Sequence, residues 1–175
     1  TSQLRMESFL VPQPQTINIF AYGSNMHLGD LNRWFREHGY TAPTIHNLIP
    51  GVLENHRLVW NYRSKARSAG AANIWPQNND EVHGVILEVD RTTFAGVDAK
   101  EGHPERYSRG EAPEPIRSAD GSYLDAWVYR VTTALLRPEP IWPTREYLEL
   151  ILQAARDHSL PAWYQEKLRA TPTAD

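Results

Sequence analysis

Residues Tyr22-Gly23-Ser24-Asn25 form a short polar loop whose residue types could hold an anion. An alternating strand pattern precedes the loop and a helical pattern follows it. Gly23 can adopt a positive φ at no steric cost, and successive backbone N–H groups in such a loop can converge on an anion at the start of a helix. Ser24 and Asn25 add side-chain donors. The alternative is an ordinary strand-to-helix turn in which Ser24 or Asn25 caps the helix, and the spacing alone leaves both interpretations open.

A carboxyl group further along the chain could carry acid–base chemistry. Asp98 and Glu101 are three residues apart, so on a helix they share one face. Glu101 falls in the last turn of that helix, where the negative end of the dipole disfavours its ionised form, and Asp98 adds like-charge repulsion. If Glu101 is also buried, its carboxyl would suit proton transfer near neutral pH. The alternative is a solvated Glu101 with Lys100 nearby, beside Gly102, which ends the helix.

Other kinds of catalytic centre find no support in the sequence. The chain has no cysteine, which excludes disulfides, thiol nucleophiles and thiolate metal sites. Its seven histidines form no HxH, HxxxH or HExxH pair, and neither a P-loop nor a dinucleotide fingerprint is present. We therefore expect neither a metal nor a cofactor.

The charge balance bears on partners and location. A net charge of −3 argues against nucleic acid and against an anionic membrane as the main partner. No stretch reaches the apolar length of a membrane helix, and the first residues lack the apolar core of a signal peptide. We expect a cytoplasmic protein. The basic residues Arg63, Lys65 and Arg67 are interpreted as a solvated loop rather than a ligand clamp.

The hydrophobic patterns predict one domain with mixed elements. At 175 residues the chain suits a single domain over residues 16–170, with a flexible arm over residues 1–15 and a tail over residues 171–175. The predicted strands are 17–22, 53–62, 71–76, 81–90 and 122–131, and the predicted helices are 28–38, 91–100, 144–160 and a short turn in 161–168. A loop is predicted over residues 63–70 and a turn over residues 78–80. Strands and helices do not alternate regularly, so we predict an α+β fold with a curved, mostly non-parallel sheet.

Taken in order, these segments resemble the γ-glutamylcyclotransferase family, whose fold is also called AIG2-like. "FAYGSNM" resembles the family's strand and substrate loop, and "VDAKEG" with Tyr107 resembles its "LDxxEG…Y" motif. "GAANIWPQNNDEVHGVILEVD" resembles its central strands, and "EYLELILQAARDHSLPAWYQEKL" its C-terminal helix and Leu-Pro-x-x-Tyr segment. The resemblance spans residues 17–168, and Met26 departs from it by standing where leucine is common.

The resemblance implies a compact β-barrel-like sheet with flanking helices and a cofactor-independent enzyme. The substrate's own α-amine would attack its γ-glutamyl carbonyl, releasing 5-oxoproline and a free amine, with Glu101 as general acid/base. The implied substrate-binding residues are Tyr22, Gly23, Ser24, Asn25, Met26 and Tyr107. The implied partner is a small γ-glutamyl molecule, and a homodimer is left open.

Two alternatives to a small γ-glutamyl amino acid remain. The same chemistry could act on a larger γ-glutamyl-protected amine of a natural-product pathway, or the fold could be a non-catalytic domain that binds a small ligand or a protein. The variable segments 39–52 and 60–67 should shape the side of the pocket that takes the leaving amine.

Overall fold

The computed structural model of the protein describes residues 15–175, so residues 1–14 of the predicted arm lie outside the described residues. The strands are β1 Thr16–Ala21, β2 Ile45–Val59, β3 Arg63–Ser64, β4 Ala69–Gly70, β5 Asn73–Asp90, β6 Tyr107–Ser108, β7 Glu114–Ser118, β8 Tyr123–Val128 and β9 Arg130–Val131. The helices are α1 Leu28–Glu37, α2 Arg91–Glu101, α3 Arg145–Asp157 and α4 Ala162–Arg169, with 3-10 turns at Ser24–Met26 and Thr133–Leu135. None of the helices in this described part has the length and hydropathy needed to cross a lipid bilayer.

Five strands close into a barrel in the order β1-β5-β2-β7-β8. All neighbouring pairs are antiparallel except the closing one, in which β1 runs parallel to β8 with Phe20 opposite Val128. Much of β1 and β5 is buried, and the paired residues Ile19 and Leu87 are each 1% exposed. The predicted α+β fold with a barrel-like sheet and flanking helices is therefore confirmed.

The longest pairing, between β2 and β5, corrects two predictions. β2 begins at Ile45 rather than at residue 53, and β5 runs through the predicted turn at residues 78–80 without a break. Residues 77–80 of β5 form a bulge, because Glu54 of β2 pairs with Glu81 whereas His56 pairs with Pro76. Asn55 stands alone opposite residues 77–80 at a φ of 57°, a conformation that asparagine tolerates well.

The short elements were also incompletely predicted. Residues 63–70, expected as a loop, form a hairpin in which β3 pairs with β4. The strands β6 and β7 were not predicted, and the predicted strand 122–131 is divided into β8 and β9. These strands have two to six residues, too few for a hydrophobic period to stand out.

The helix ends place the residues of interest. The side chain of Asp90 accepts a hydrogen bond from Thr93 N at 2.7 Å, so α2 begins directly where β5 leaves the barrel. Gly102 ends α2 at a φ of 68°, which leaves Glu101 in its last turn, as predicted. Thr144 caps α3 through a 3.1 Å bond from Tyr147 N. α3 packs against the 3-10 turn that follows β1.

Candidate active site

The loop after β1 is not a simple helix cap. α1 is capped by His27, whose Nδ1 accepts from Asp30 N at 3.0 Å, so the interpretation of Ser24 or Asn25 as its cap is wrong. Gly23 has a φ of −122°, so the loop does not use the positive φ that glycine allows. The space beside Gly23 is tight, since a Cβ there would lie 3.3 Å from the Cβ of Ala72.

The side chain of Asn25 joins this loop to the end of α2. Its Nδ2 donates to Glu101 Oε1 at 2.5 Å, and its Oδ1 accepts from Lys100 Nζ at 2.6 Å. Lys100 Nζ also lies 3.4 Å from Ser24 Oγ. Burial lowers the pKa of the Lys100 ammonium, while the neighbouring Glu101 raises it.

A small cavity of about 40 Å³ lies between the loop and α2. Six of the seven predicted site residues line it, namely Tyr22, Gly23, Ser24, Asn25, Glu101 and Tyr107. The seventh, Met26, is wholly buried in the core, and its backbone carbonyl accepts from His158 Nε2 at 2.8 Å. Met26 thus lies behind the loop rather than in the cavity.

Four buried or half-buried tyrosines surround the same cavity. Burial raises the pKa of Tyr22, Tyr107, Tyr129 and Tyr147, so all four are neutral hydrogen-bond donors near neutral pH. Two of the hydroxyls are used by backbone carbonyls: Tyr22 donates to Tyr129 O at 2.6 Å and Tyr107 to Ala72 O at 2.7 Å. Tyr147 Oη accepts from Ala72 N at 3.2 Å, which leaves its own hydrogen to be donated.

Asp98 is held in an ion pair away from the loop after β1. Arg109 holds its carboxylate through two bonds, Nε to Oδ1 at 2.9 Å and Nη2 to Oδ2 at 3.0 Å. Tyr129 Oη donates a further bond to Oδ1 at 2.5 Å. The charge of Asp98 is therefore paired, which weakens any repulsion that it exerts on Glu101.

A larger cavity of about 290 Å³ adjoins the small one and shares Ser24, Glu101, Tyr107 and Tyr147 with it. Its remaining wall is rich in charge, with Arg33, Arg67, Lys100 and Arg106 against Asp30 and Glu37.

Arg67 is part of that wall, so its interpretation as a solvated loop residue is wrong. It bonds the buried Asp30 at 2.9 Å, and its guanidinium lies 4.9 Å from the centre of the Tyr147 ring. These contacts hold the β3–β4 hairpin against the larger cavity.

Sequence reasoning missed three residues of the site. Lys100 was noted only as a neighbour of Glu101, and Tyr129 and Tyr147 were assigned to a strand and a helix without a role. Tyr147 carried a usable signal, because it places a hydroxyl on the apolar face of an amphipathic helix. Within residues 15–175, no group of three or more histidine, aspartate or glutamate side chains could hold a metal ion.

Comparisons with known proteins found a matching family model, similar sequences and a solved structure with a similar fold. A family model described as gamma-glutamyl cyclotransferase, AIG2-like, matches residues 19–149. The gamma-glutamylcyclotransferase of Homo sapiens is 25% identical over 169 residues, covering 94% of this chain and 83% of that protein. That of Mus musculus is 26% identical over 161 residues, covering 89% and 79%. A solved structure of a gamma-glutamyl cyclotransferase has the same fold, with a TM-score of 0.74, 24% identity and coverage of 91% of this chain and 90% of that one.

Proposed function

This chain belongs to the gamma-glutamyl cyclotransferase, AIG2-like family, and from that premise we propose that it releases 5-oxoproline and a free amine from a γ-glutamyl amine. The observation that carries the proposal is the position of Glu101. Glu101 lines both cavities, so its side chain is placed to serve groups bound in either one. A proton taken from one part of a bound substrate can therefore be delivered to another part by the same carboxyl.

The small cavity suits the α-carboxylate of the glutamyl group. On the same measure one water molecule needs about 10–15 Å³, so a volume of about 40 Å³ holds roughly three water-sized groups, which is about the size of a carboxylate. In the 3-10 turn, the Met26 N–H bonds Gly23 O, while the N–H groups of Ser24 and Asn25 have no partner inside the turn. These two groups and the Tyr147 hydroxyl are the donors that would hold the carboxylate.

The chemistry then needs no nucleophile from the protein. Glu101 takes a proton from the substrate's α-ammonium, and the freed amine attacks the γ-carbonyl carbon to form a five-membered ring. As the bond from that carbon to the leaving nitrogen breaks, Glu101 gives the proton to that nitrogen. The ring nitrogen then loses its second proton through the same carboxyl to the released amine, so a neutral lactam and an ammonium are the products. Ring closure depends on holding the flexible glutamyl chain in a folded pose, which is an orientation effect.

The larger cavity would take the leaving amine. It has room, at about 290 Å³, for an amino-acid-sized group. The salt bridges among the described residues leave Arg106 without a carboxylate partner, and its Nη2 donates only weakly to Lys100 O at 3.3 Å. A guanidinium in that position favours an amine that carries a carboxylate over an uncharged one.

Mass-spectrometric detection of 5-oxoproline tests the proposal. The protein would be incubated with γ-glutamyl amines of matched size, some with a carboxylate on the amine and some with a neutral amide in its place. We expect 5-oxoproline from the panel, with the higher kcat/KM for the carboxylates. If folded protein released none from any member, the non-catalytic binding alternative would replace the enzyme. A preference for large neutral amines would favour the natural-product alternative.

A further inference from the structure

Lys100 takes no part in the ring closure described above. It is nevertheless connected by hydrogen bonds to Glu101, which carries out the proton transfer. Its Nζ lies 2.6 Å from Asn25 Oδ1, and Asn25 Nδ2 lies 2.5 Å from Glu101 Oε1. The three side chains thus form a line from a cation through an amide to a carboxylate. Lys100 and Glu101 are sequence neighbours, but the connection between them runs through a residue of the distant loop after β1.

The donors and acceptors available on the three side chains determine which way each of these two hydrogen bonds runs. A lysine ammonium has donors only, so it can meet only the oxygen of the Asn25 amide. The amide nitrogen must then face Glu101, and being a donor it requires an oxygen lone pair there. We propose that Lys100 is a positioning residue for Glu101, which locks the Asn25 amide in one orientation so that Glu101 Oε1 is always the acceptor and Oε2 the oxygen that carries the proton. This inference rests on the proposed function of Glu101 as acid/base.

The orientation matters because Glu101 must both take up and release a proton. With Oε1 occupied by the Asn25 donor, the transferred proton resides on Oε2. If Asn25 could flip, its own oxygen would face Glu101 and would be satisfied only by the protonated acid. The carboxyl would then hold its proton when it should accept one.

The surroundings of Lys100 determine how its charge acts. Asp30 and Arg33 from α1, Arg67 from the β3–β4 hairpin and Glu101 on its own helix are the charged groups that face it. Burial lowers the pKa of Lys100, the two carboxylates raise it, and the two arginines lower it. The Lys100 ammonium and the Glu101 carboxylate attract each other across the Asn25 amide.

Variants of Lys100 test the proposal in the free protein and in turnover. Lys100→Met removes the cation and the donor, whereas Lys100→Arg keeps both and is the rescue variant. Lys167→Met, on α4 with a 49% exposed side chain, is the matched control. In substrate-free protein, carbon NMR would follow the titration of the Glu101 carboxyl and nitrogen NMR the Asn25 side-chain amide. In turnover, kcat, KM and the pH dependence of kcat/KM would be measured.

We expect Lys100→Met to shift the Asn25 amide signals and to move the Glu101 titration to higher pH, because a neighbouring cation is removed. Its kcat should fall by about tenfold or more with KM within about threefold of wild type, and the acidic limb of kcat/KM should move to higher pH. Lys100→Arg should restore most of each change, and Lys167→Met should behave as wild type. An unmoved Glu101 titration in folded Lys100→Met would overturn the proposal, as would a loss confined to KM. The NMR result stands even if no γ-glutamyl amine is turned over, so failure of this inference and failure of the proposed function are distinguishable.

Discussion

Asn25 Nδ2 lies 2.5 Å from Glu101 Oε1, although 76 positions separate the two residues along the chain. The contact joins the turn at the end of a barrel strand to the last turn of a helix that starts from the neighbouring strand. The barrel wall between them is well buried, with Ile19 and Leu87 each 1% exposed. The position of the Glu101 carboxyl therefore depends on a side chain from a different element.

Replacing Asn25 by alanine should slow the reaction without unfolding the protein. The change leaves Glu101 Oε1 without its donor and Lys100 without its acceptor. A hydrogen bond to a charged group is worth about 1.5–3 kcal/mol, so we expect kcat to fall by about 10- to 100-fold. Steady-state kinetics would measure it, with Asn78→Ala on the exposed bulge as the control. A wild-type kcat for Asn25→Ala would show that Glu101 is positioned without it.

Replacing Asp98 should lower the stability of the protein, whereas replacing Glu101 should lower its turnover. Asp98→Asn removes the negative charge and one of the two oxygens that pair with Arg109, although its remaining oxygen can still accept from Tyr129. The side chains of Asp98 and Arg109 are about four-fifths buried. We therefore expect Asp98→Asn to lower the free energy of unfolding by about 1–3 kcal/mol. Turnover at a temperature where the variant is folded should change little. Chemical denaturation measures the first effect, and a large fall in kcat with unchanged stability would contradict this division of roles.

Gly96 in α2 should not tolerate a methyl group. A Cβ at this position would lie 2.5 Å from the ring of Phe35, which is itself 1% exposed. In an open helix, alanine would be favoured over glycine by about 1 kcal/mol; here overpacking should reverse the sign and cost about 1–3 kcal/mol. Thermal unfolding would measure it. In the double variant with Phe35→Leu, the loss should be smaller than the sum of the two single losses, and additive losses would exclude the clash.

Stability should fall at alkaline pH because of the buried tyrosines. The pKa of Tyr22 and the pKa of Tyr107 are raised by burial above the ordinary value of about 10. The unfolded chain therefore loses these protons first. The stability that these two neutral tyrosines contribute is fully present below pH about 10. It declines as the pH rises toward their pKa in the folded protein, at up to about 1.4 kcal/mol per pH unit for each tyrosine. Denaturation at several alkaline pH values would measure the slope.

Tyr107→Phe should flatten that slope, whereas Tyr40→Phe, at a position 40% exposed, should leave it unchanged. A slope that is the same in Tyr107→Phe and wild type would contradict the assignment. The variant also loses the bond to Ala72 O, so its stability near neutral pH should be somewhat lower.

The long elements could be predicted because their local signals agree with the tertiary structure. Asp90 and Gly102 mark both ends of α2, and Thr144 marks the start of α3. The long β2–β5 pairing was cut short because Pro50 and Gly51 interrupt a strand pattern, and because residues 77–80 look like a turn. Both features are accommodated by cross-strand partners, which no local window contains.

The candidate site was predictable as a set of residues but not as a network. Glu101 and the loop after β1 were identified by their motifs, and the structure brings them to one cavity. The pairing of Asp98 with Arg109 and of Arg67 with Asp30 depends on side chains that are 11 and 37 residues apart. Sequence spacing predicts contacts along one helix, whereas these cross from one element to another.

The most direct test of the account is the turnover number of Glu101→Gln. Glutamine keeps the shape of the side chain and an oxygen for the Asn25 donor, but it cannot take up or give back a proton. Release of 5-oxoproline from the best γ-glutamyl amine would be followed by mass spectrometry, with circular dichroism to confirm the fold. The account predicts a fall in kcat of about 10²- to 10⁴-fold. A folded Glu101→Gln protein with a wild-type kcat would contradict it.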